Sequence, residues 1–176
     1  MYQQLKELEK YINYREYEKA FKLAQSKPEL LFEDLVFGHS NTTICIVISH
    51  QDYSFALDLA KIDPSALNAR CYYETTVLEY AIIYSHLNSW SDIFIEMAQL
   101  DKENISGKII SLLIHKNMLD MALQLAQHHP PALKQESKYS NNQNPISYAE
   151  DNGYSELAAA MQKIDMPTII DSEFEL

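Results

Sequence analysis

Apolar residues recur along this chain at the spacing of three and four positions that marks one face of an α-helix. One nine-residue pattern occurs four times without gaps, and a fifth, looser copy lies between the second and the third of them. In each clear copy tyrosine or leucine stands second, and small or apolar residues follow three and four positions later. The clear copies cover residues 16–24, 52–60, 118–126 and 153–161, and the looser copy covers residues 90–98. The pattern predicts five amphipathic helices related by internal repetition.

A shorter apolar helix is predicted ahead of each of the last four copies, so the repeating unit is a pair of helices. These first helices cover residues 43–49, 76–85, 108–115 and 145–151. Pro28, Pro64 and Pro130 each follow a second helix, where proline ends the unit. Because a single helix pair cannot bury its apolar faces, stacking of neighbouring pairs must supply the core. The sequence therefore predicts an all-α, helix-turn-helix repeat solenoid of about four to five helix pairs.

The spacing of the copies is uneven at one place. Successive copies start 36, 38, 28 and 35 residues apart. The interval of 28 residues leaves no room for a full connection between the pair that ends with residues 90–98 and the pair that ends with residues 118–126. We expect an irregular stack at this point.

Two hexapeptides, residues 76–81 and 144–149, are similar to the threonine-proline-leucine-histidine-x-alanine opening of the ankyrin repeat. Residues 43–48 lie 33 residues before the first of them, which is the period of that family. The chain thus resembles degenerate ankyrin-repeat proteins over residues 14–163. The resemblance implies one domain, residues 1–164, that binds a protein through finger tips and a concave groove. Tetratricopeptide stacks are the alternative, because residues 17–20 and the trailing prolines resemble them as well.

Composition and charge exclude several classes of protein. Only three glycines are present, which disfavours barrels, sandwiches and glycine-rich phosphate loops. The net charge is −11, and residues 36–101 hold eight acids against two bases. Nucleic-acid binding is therefore not expected, whereas a protein partner with a basic surface is. No apolar stretch approaches the length of a membrane span, so no membrane contact is expected.

The two cysteines do not suggest a disulfide. Cys45 lies inside an apolar run and is expected to be a small buried hydrophobe, while Cys71 lies in a turn. The N-terminus is a charged helix start without the hydrophobic region of a signal peptide. These features together predict a chain that matures in a reducing compartment and stays in the cytoplasm.

Candidate catalytic chemistry is sparse. His50, His86 and His115 each fall near a turn between paired helices. Neighbouring repeats stand about 10 Å apart, which is too far for three imidazoles to share one metal ion. Neither cysteine adjoins a histidine in sequence, and no acids form a distinct local pair. We therefore expect a protein that is not an enzyme and that holds no cofactor or metal.

Tyrosines suggest a binding surface instead, since twelve of them occur in the chain. Tyr72 and Tyr73 lie together in a connection that would form a finger tip, and tyrosine is common at binding hot spots. Phe37 and Tyr139 occupy comparable connections. Tyr80 and Tyr84 lie on a first helix, which lines the groove in the ankyrin family. The predicted partner-binding residues are Tyr72, Tyr73, Phe37, Tyr139, Tyr80 and Tyr84.

The last twelve residues, 165–176, depart from the repeat and carry four acids and no base. They are expected to form a cap or a signal tail, and they resemble the acidic C-terminal signals of effectors that intracellular bacteria export by type IV secretion. The sequence as a whole predicts a monomeric, non-catalytic protein-interaction module, in the effector case one that acts on a host protein or on another effector. The alternatives are an enzyme with a site assembled across repeats and a self-assembling structural subunit.

Overall fold

The computed structural model describes residues 1–34, 42–72, 75–84 and 89–165 of the chain. Over these residues the protein is all-α, with ten α-helices and no strand. None of the described helices has the length and the apolar character that crossing a membrane requires. In chain order the helices are α1 (Tyr2–Asn13), α2 (Tyr17–Ser26), α3 (Thr43–Ser49), α4 (Tyr53–Ile62), α5 (Val77–Tyr84), α6 (Ser91–Leu100), α7 (Gly107–His115), α8 (Leu119–His128), α9 (Pro145–Asp151) and α10 (Ser155–Asp165).

The structure confirms that the predicted segments are helical. The five nine-residue copies lie on α2, α4, α6, α8 and α10, and the four shorter apolar segments lie on α3, α5, α7 and α9. Each of the three prolines begins a short 3₁₀ helix immediately after a second helix, because its fixed φ suits the first turn and its ring cannot continue the preceding helix. These 3₁₀ helices are Pro28–Leu31, Pro64–Asn68 and Pro130–Lys134.

Four of the turns between paired helices share one backbone geometry. In each turn a residue in the left-handed conformation follows the first helix, and the N–H of the next residue donates to a carbonyl in the last turn of that helix. Only one of the four left-handed residues is a glycine. These residues are Arg15, Gln51, Asn117 and Gly153, with φ of 57°, 64°, 58° and 83°. The hydrogen bonds are Glu16 to Tyr11, Asp52 to Val47, Met118 to Leu113 and Tyr154 to Ala149, at 2.8 to 3.2 Å.

The range predicted as one domain falls into two compact units. The first unit, Met1–Ile105, contains α1 to α6. Within it the second helices pack side by side in the order α2, α4, α6, and α3 packs against α5. Alanines at the helix contacts are fully buried and let neighbouring helices approach closely. They are Ala20, Ala24, Ala56, Ala60 and Ala98.

The second unit, Ser106–Leu176, contains α7 to α10. Its helix α7 packs against α8 and α9, and α10 packs against the same two helices. Gly107 begins α7 where the chain passes close to the end of the 3₁₀ helix Pro130–Lys134, and its N–H donates to Gln135 Oε1 at 3.1 Å. Lys134 Nζ pairs with Asp165 Oδ1 at 3.3 Å. The predicted tail, residues 165–176, lies outside the described residues except for Asp165, which ends α10.

Three connections are closed at their base by an isolated antiparallel bridge. The bridging pairs are Asp34 with Thr42, Arg70 with Thr76, and Ser137 with Gln143. The predicted finger tips are the segments between these pairs. The chain between α6 and α7, in contrast, forms only the 3₁₀ turn Lys102–Asn104. This short connection lies where the interval of 28 residues leaves no room for a longer one.

The expectation of two unpaired cysteines is wrong. Cys45 on α3 and Cys71 form a disulfide, with their Cα atoms 6.4 Å apart, which lies within the usual range for such bonds. The bridge between Arg70 and Thr76 holds Cys71 in a connection that folds back onto α3, and both cysteines are buried. Disulfides persist mainly in oxidising compartments. The cysteines therefore no longer support the predicted reducing compartment.

Candidate functional site

Of the six aromatic residues predicted to bind a partner, the structure describes four. Phe37 and Tyr73 lie outside the described residues. Tyr72 is half-buried, and its carbonyl accepts a hydrogen bond from Thr75 Oγ1 at 2.7 Å. Tyr139 lies in the bridged connection of the second unit and is 41% exposed. Its ring meets that of His115 edge-on, with centroids 5.6 Å apart.

The two tyrosines of α5 differ in exposure. Tyr80 is buried, and this burial raises the pKa of its hydroxyl. Tyr84, one turn later, is 48% exposed, and its ring lies 4.9 Å from that of Tyr80. Helix α5 therefore presents Tyr84 at the surface, while Tyr80 belongs to the core.

The histidines show no metal-binding arrangement where the structure describes them. No three His, Cys, Asp or Glu side chains in the described ranges are placed to hold a metal ion. His86 lies outside those ranges. His115 Nδ1 instead lies 3.2 Å from the hydroxyl of Tyr148.

A different aromatic cluster lines a groove of about 420 Å³ in the first unit. Its rings are Tyr17, Tyr53, Phe55 and Trp90, and we call this site the aromatic groove. Tyr17 is the first residue of α2, Tyr53 is the first residue of α4, and Trp90 caps the start of α6. Because α2, α4 and α6 pack side by side, these helix starts lie at the same edge of the unit.

Stacked rings connect the neighbouring helices along this edge. Tyr17 of α2 stacks on Phe55 of α4, with centroids 4.4 Å apart, and Tyr53 of α4 stacks on Trp90 of α6, with centroids 4.1 Å apart and planes within 3°. Trp90 also meets Phe94 edge-on at 5.9 Å. Phe55 and Trp90 are buried, whereas Tyr17 and Tyr53 are half-buried. The groove thus has a wall of stacked aromatic rings, of which the two phenol rings are accessible.

Carboxylates give the aromatic groove a negative charge. Among the lining residues that the structure describes, two are acids, Asp52 and Asp58, and none is a lysine or an arginine. The Tyr17 hydroxyl donates a hydrogen bond to Asp52 Oδ2, and Arg15 Nε lies 3.9 Å from the same oxygen. Asp58 is exposed. Lys61, one turn further along α4, pairs with Glu96 at 2.8 Å.

One polar group in the wall lacks a partner among the residues that the structure describes. Trp90 is 4% exposed, and its Nε1–H has no acceptor among the described residues. A buried donor without an acceptor costs about 1–3 kcal/mol. Such uncompensated groups are rare in native structures and call for a specific explanation.

No protein-family model, no curated protein and no solved structure matches this chain. The aromatic groove must therefore be interpreted from its own chemistry.

Sequence reasoning missed this site although a signal for it was present. The second position of the nine-residue copy is Tyr17 in the first copy and Tyr53 in the second, and it was assigned to the buried stripe. Trp90 opens the looser copy. An aromatic residue that recurs at helix starts, rather than in the middle of the helices, indicates an edge shared by successive repeats.

The hydrogen bond between Tyr17 and Asp52 gives a test of the geometry of the groove. Burial, together with the hydrogen bond to Asp52, raises the pKa of Tyr17 to about 12 from its usual value of 10.0. The unfolded chain therefore releases this proton near pH 10 and the folded chain near pH 12. The stability that Tyr17 contributes is complete below pH 10 and decreases as the pH rises towards 12.

We expect Tyr17→Phe to remove one late step from the tyrosinate absorbance titration and to weaken the loss of stability across the same pH window. Asp52→Asn keeps the ring but removes the negative charge, so it is expected to lower the pKa of Tyr17. If the step that Tyr17→Phe removes lies near pH 10 and not near pH 12, then Asp52 does not hold this hydroxyl in the folded protein.

Proposed function

We propose that this protein is a non-catalytic protein-interaction module and that the aromatic groove holds part of its partner. The observation that carries this proposal is the row of stacked rings at the starts of α2, α4 and α6. Tyrosine and tryptophan supply a large contact area at low entropic cost and are enriched at binding hot spots. A volume of about 420 Å³ accommodates one long side chain together with the short backbone segment that presents it.

The charge of the groove favours a basic partner. Asp52 and Asp58 add negative charge to a segment, residues 36–101, in which eight acids face two bases. Complementary charge accelerates encounter with a basic surface and disfavours acidic partners. The partner proposed here is accordingly a protein with a basic contact surface, bound by a single copy of this chain.

We propose an ankyrin-like repeat stack as the architecture that presents the groove. Four turns with the same left-handed geometry support internal repetition. Three connections closed by an antiparallel bridge favour the ankyrin unit, which carries a β-turn, over the tetratricopeptide unit, which consists of two helices alone. We propose that the protein acts in the cytoplasm. If it is an effector, we propose that its acidic tail directs its export into a host cell by type IV secretion.

Affinity capture tests the proposed function with one exposed residue of the groove. We expect a partner captured from cytosol by the wild-type protein to be lost with Asp58→Arg, because this change replaces an exposed negative charge of the groove by a positive one without altering a buried contact. Asp120→Arg is the matched control, since Asp120 is an exposed acid in the first turn of α8. The captured protein is identified by mass spectrometry, purified and rebound to each variant.

A third variant, Tyr72→Ala with Tyr73→Ala, separates the two candidate surfaces. Loss of the purified partner in this variant but not in Asp58→Arg would move the binding surface to the bridged connection. Equal binding by all three variants would contradict both sites. Thermal unfolding of every variant must match that of the wild type for these comparisons to hold.

A further inference from the structure

We infer that the aromatic groove takes an arginine side chain of the partner, held between the Tyr17 and Tyr53 rings and the Asp58 carboxylate. This inference rests on the proposed function and names the chemistry that the groove recognises. It is carried by three properties of the groove: its ring faces, its exposed carboxylate and the absence of a base among its described lining residues.

The rings provide the first contact. Tyr17 and Tyr53 each have one face covered by a stacking partner, Phe55 and Trp90, and each keeps part of its surface exposed. A guanidinium plane that lies against a phenol ring is attracted by the negative potential of the ring face. Because the stacking partners hold both phenols in place, little side-chain entropy is lost on binding.

The carboxylate provides the second contact. Asp52 is already engaged by the Tyr17 hydroxyl and lies near Arg15. Asp58 is exposed, and no hydrogen bond to its carboxylate is present in the described part of the chain. Lys61, which pairs with Glu96, attracts this carboxylate through space. The Asp58 oxygens remain open to hydrogen bonds from an incoming cation.

Arginine fits this combination better than lysine does. The guanidinium group is planar, stacks on aromatic faces and forms two parallel hydrogen bonds with one carboxylate. A lysine ammonium is compact and strongly hydrated, and it does neither. A groove with an aromatic wall and an exposed carboxylate at Asp58 matches the flat, forked group.

The single tryptophan of the chain makes the test direct. Trp90 lines the groove, and its indole N–H gives one cross-peak in the spectrum of isotope-labelled protein. The probe is an acetylated and amidated peptide with one arginine between glycines. Matched probes carry citrulline, which has nearly the same shape without the charge, or lysine.

We expect the arginine peptide to shift the indole cross-peak saturably, with binding at least about fivefold weaker for the citrulline and lysine peptides. Asp58→Asn is expected to weaken binding of the arginine peptide about tenfold, whereas Asp120→Asn leaves it unchanged. Both acids are exposed, so both variants are expected to fold.

Three results overturn the inference. Equal binding of the citrulline peptide means that the groove binds peptide without recognising a cation, and the proposed function then survives. Equal losses in Asp58→Asn and Asp120→Asn mean that the net charge of the protein attracts the peptide. The absence of a saturable shift with any peptide rejects the arginine site, and the capture experiment with Asp58→Arg then decides the proposed function separately.

Discussion

Gly107→Ala is expected to lower the free energy of unfolding by about 3 kcal/mol, at the upper end of the usual cost of overpacking. A Cβ atom at this position would lie 2.3 Å from the carbonyl oxygen of Gln135 and 2.9 Å from that of Ala132. Both atoms belong to backbone, which cannot swing away as a flexible side chain would. The start of α7 would have to move away from the 3₁₀ helix that precedes Gln135.

Gly153→Ala is the matched control, because the same substitution there is destabilising through the backbone conformation and not through a steric clash. A Cβ at Gly153 meets nothing within 4 Å, but its φ of 83° is unfavourable for any side chain. The expected cost is about 1 kcal/mol. Urea denaturation followed by circular dichroism measures both variants. A Gly107→Ala variant that unfolds at the same urea concentration as the wild type would contradict the close approach described for α7.

Reduction of the disulfide is expected to lower the free energy of unfolding by about 3 kcal/mol. The bond between Cys45 and Cys71 closes a loop with a sequence separation of 26 residues, and the cross-link restricts the unfolded chain. Both cysteines are buried, so the reduced protein keeps two thiols in an apolar site.

Denaturation of the same preparation with and without dithiothreitol measures this contribution. The double variant Cys45→Ala with Cys71→Ala is the control, and its midpoint is expected not to respond to the reductant. Two reactive thiols in the unreduced, unfolded wild-type protein would show that the bond is absent.

The helices could be predicted from sequence because their signals are local. The apolar run 43–49 gives the bounds of α3, and the prolines mark where α2, α4 and α8 end. The spacing of apolar residues indicates that a segment is helical, and the same residues form the face that is buried. One sequence pattern therefore predicts both the helix and its buried face.

The disulfide and the aromatic groove could not be predicted in the same way, because they depend on which parts of the fold meet. Cys45 and Cys71 lie on different elements, and only the bridged connection brings them together. Tyr17, Tyr53 and Trp90 recur at helix starts, but this recurrence does not say which helices lie side by side. They form a site only because α2, α4 and α6 pack with their starts at one edge, which no single repeat encodes.

The stacked rings also link ligand binding in the groove to the stability of the folded chain. Tyr17 with Phe55 joins α2 to α4, and Tyr53 with Trp90 joins α4 to α6. A molecule that binds across these rings binds the folded chain and not the unfolded chain, because the rings lie side by side only in the folded state. Its binding therefore raises the free energy of unfolding by mass action. The melting temperature should therefore rise with the concentration of any true ligand, and a thermal-shift screen could find one without a prior guess about its identity.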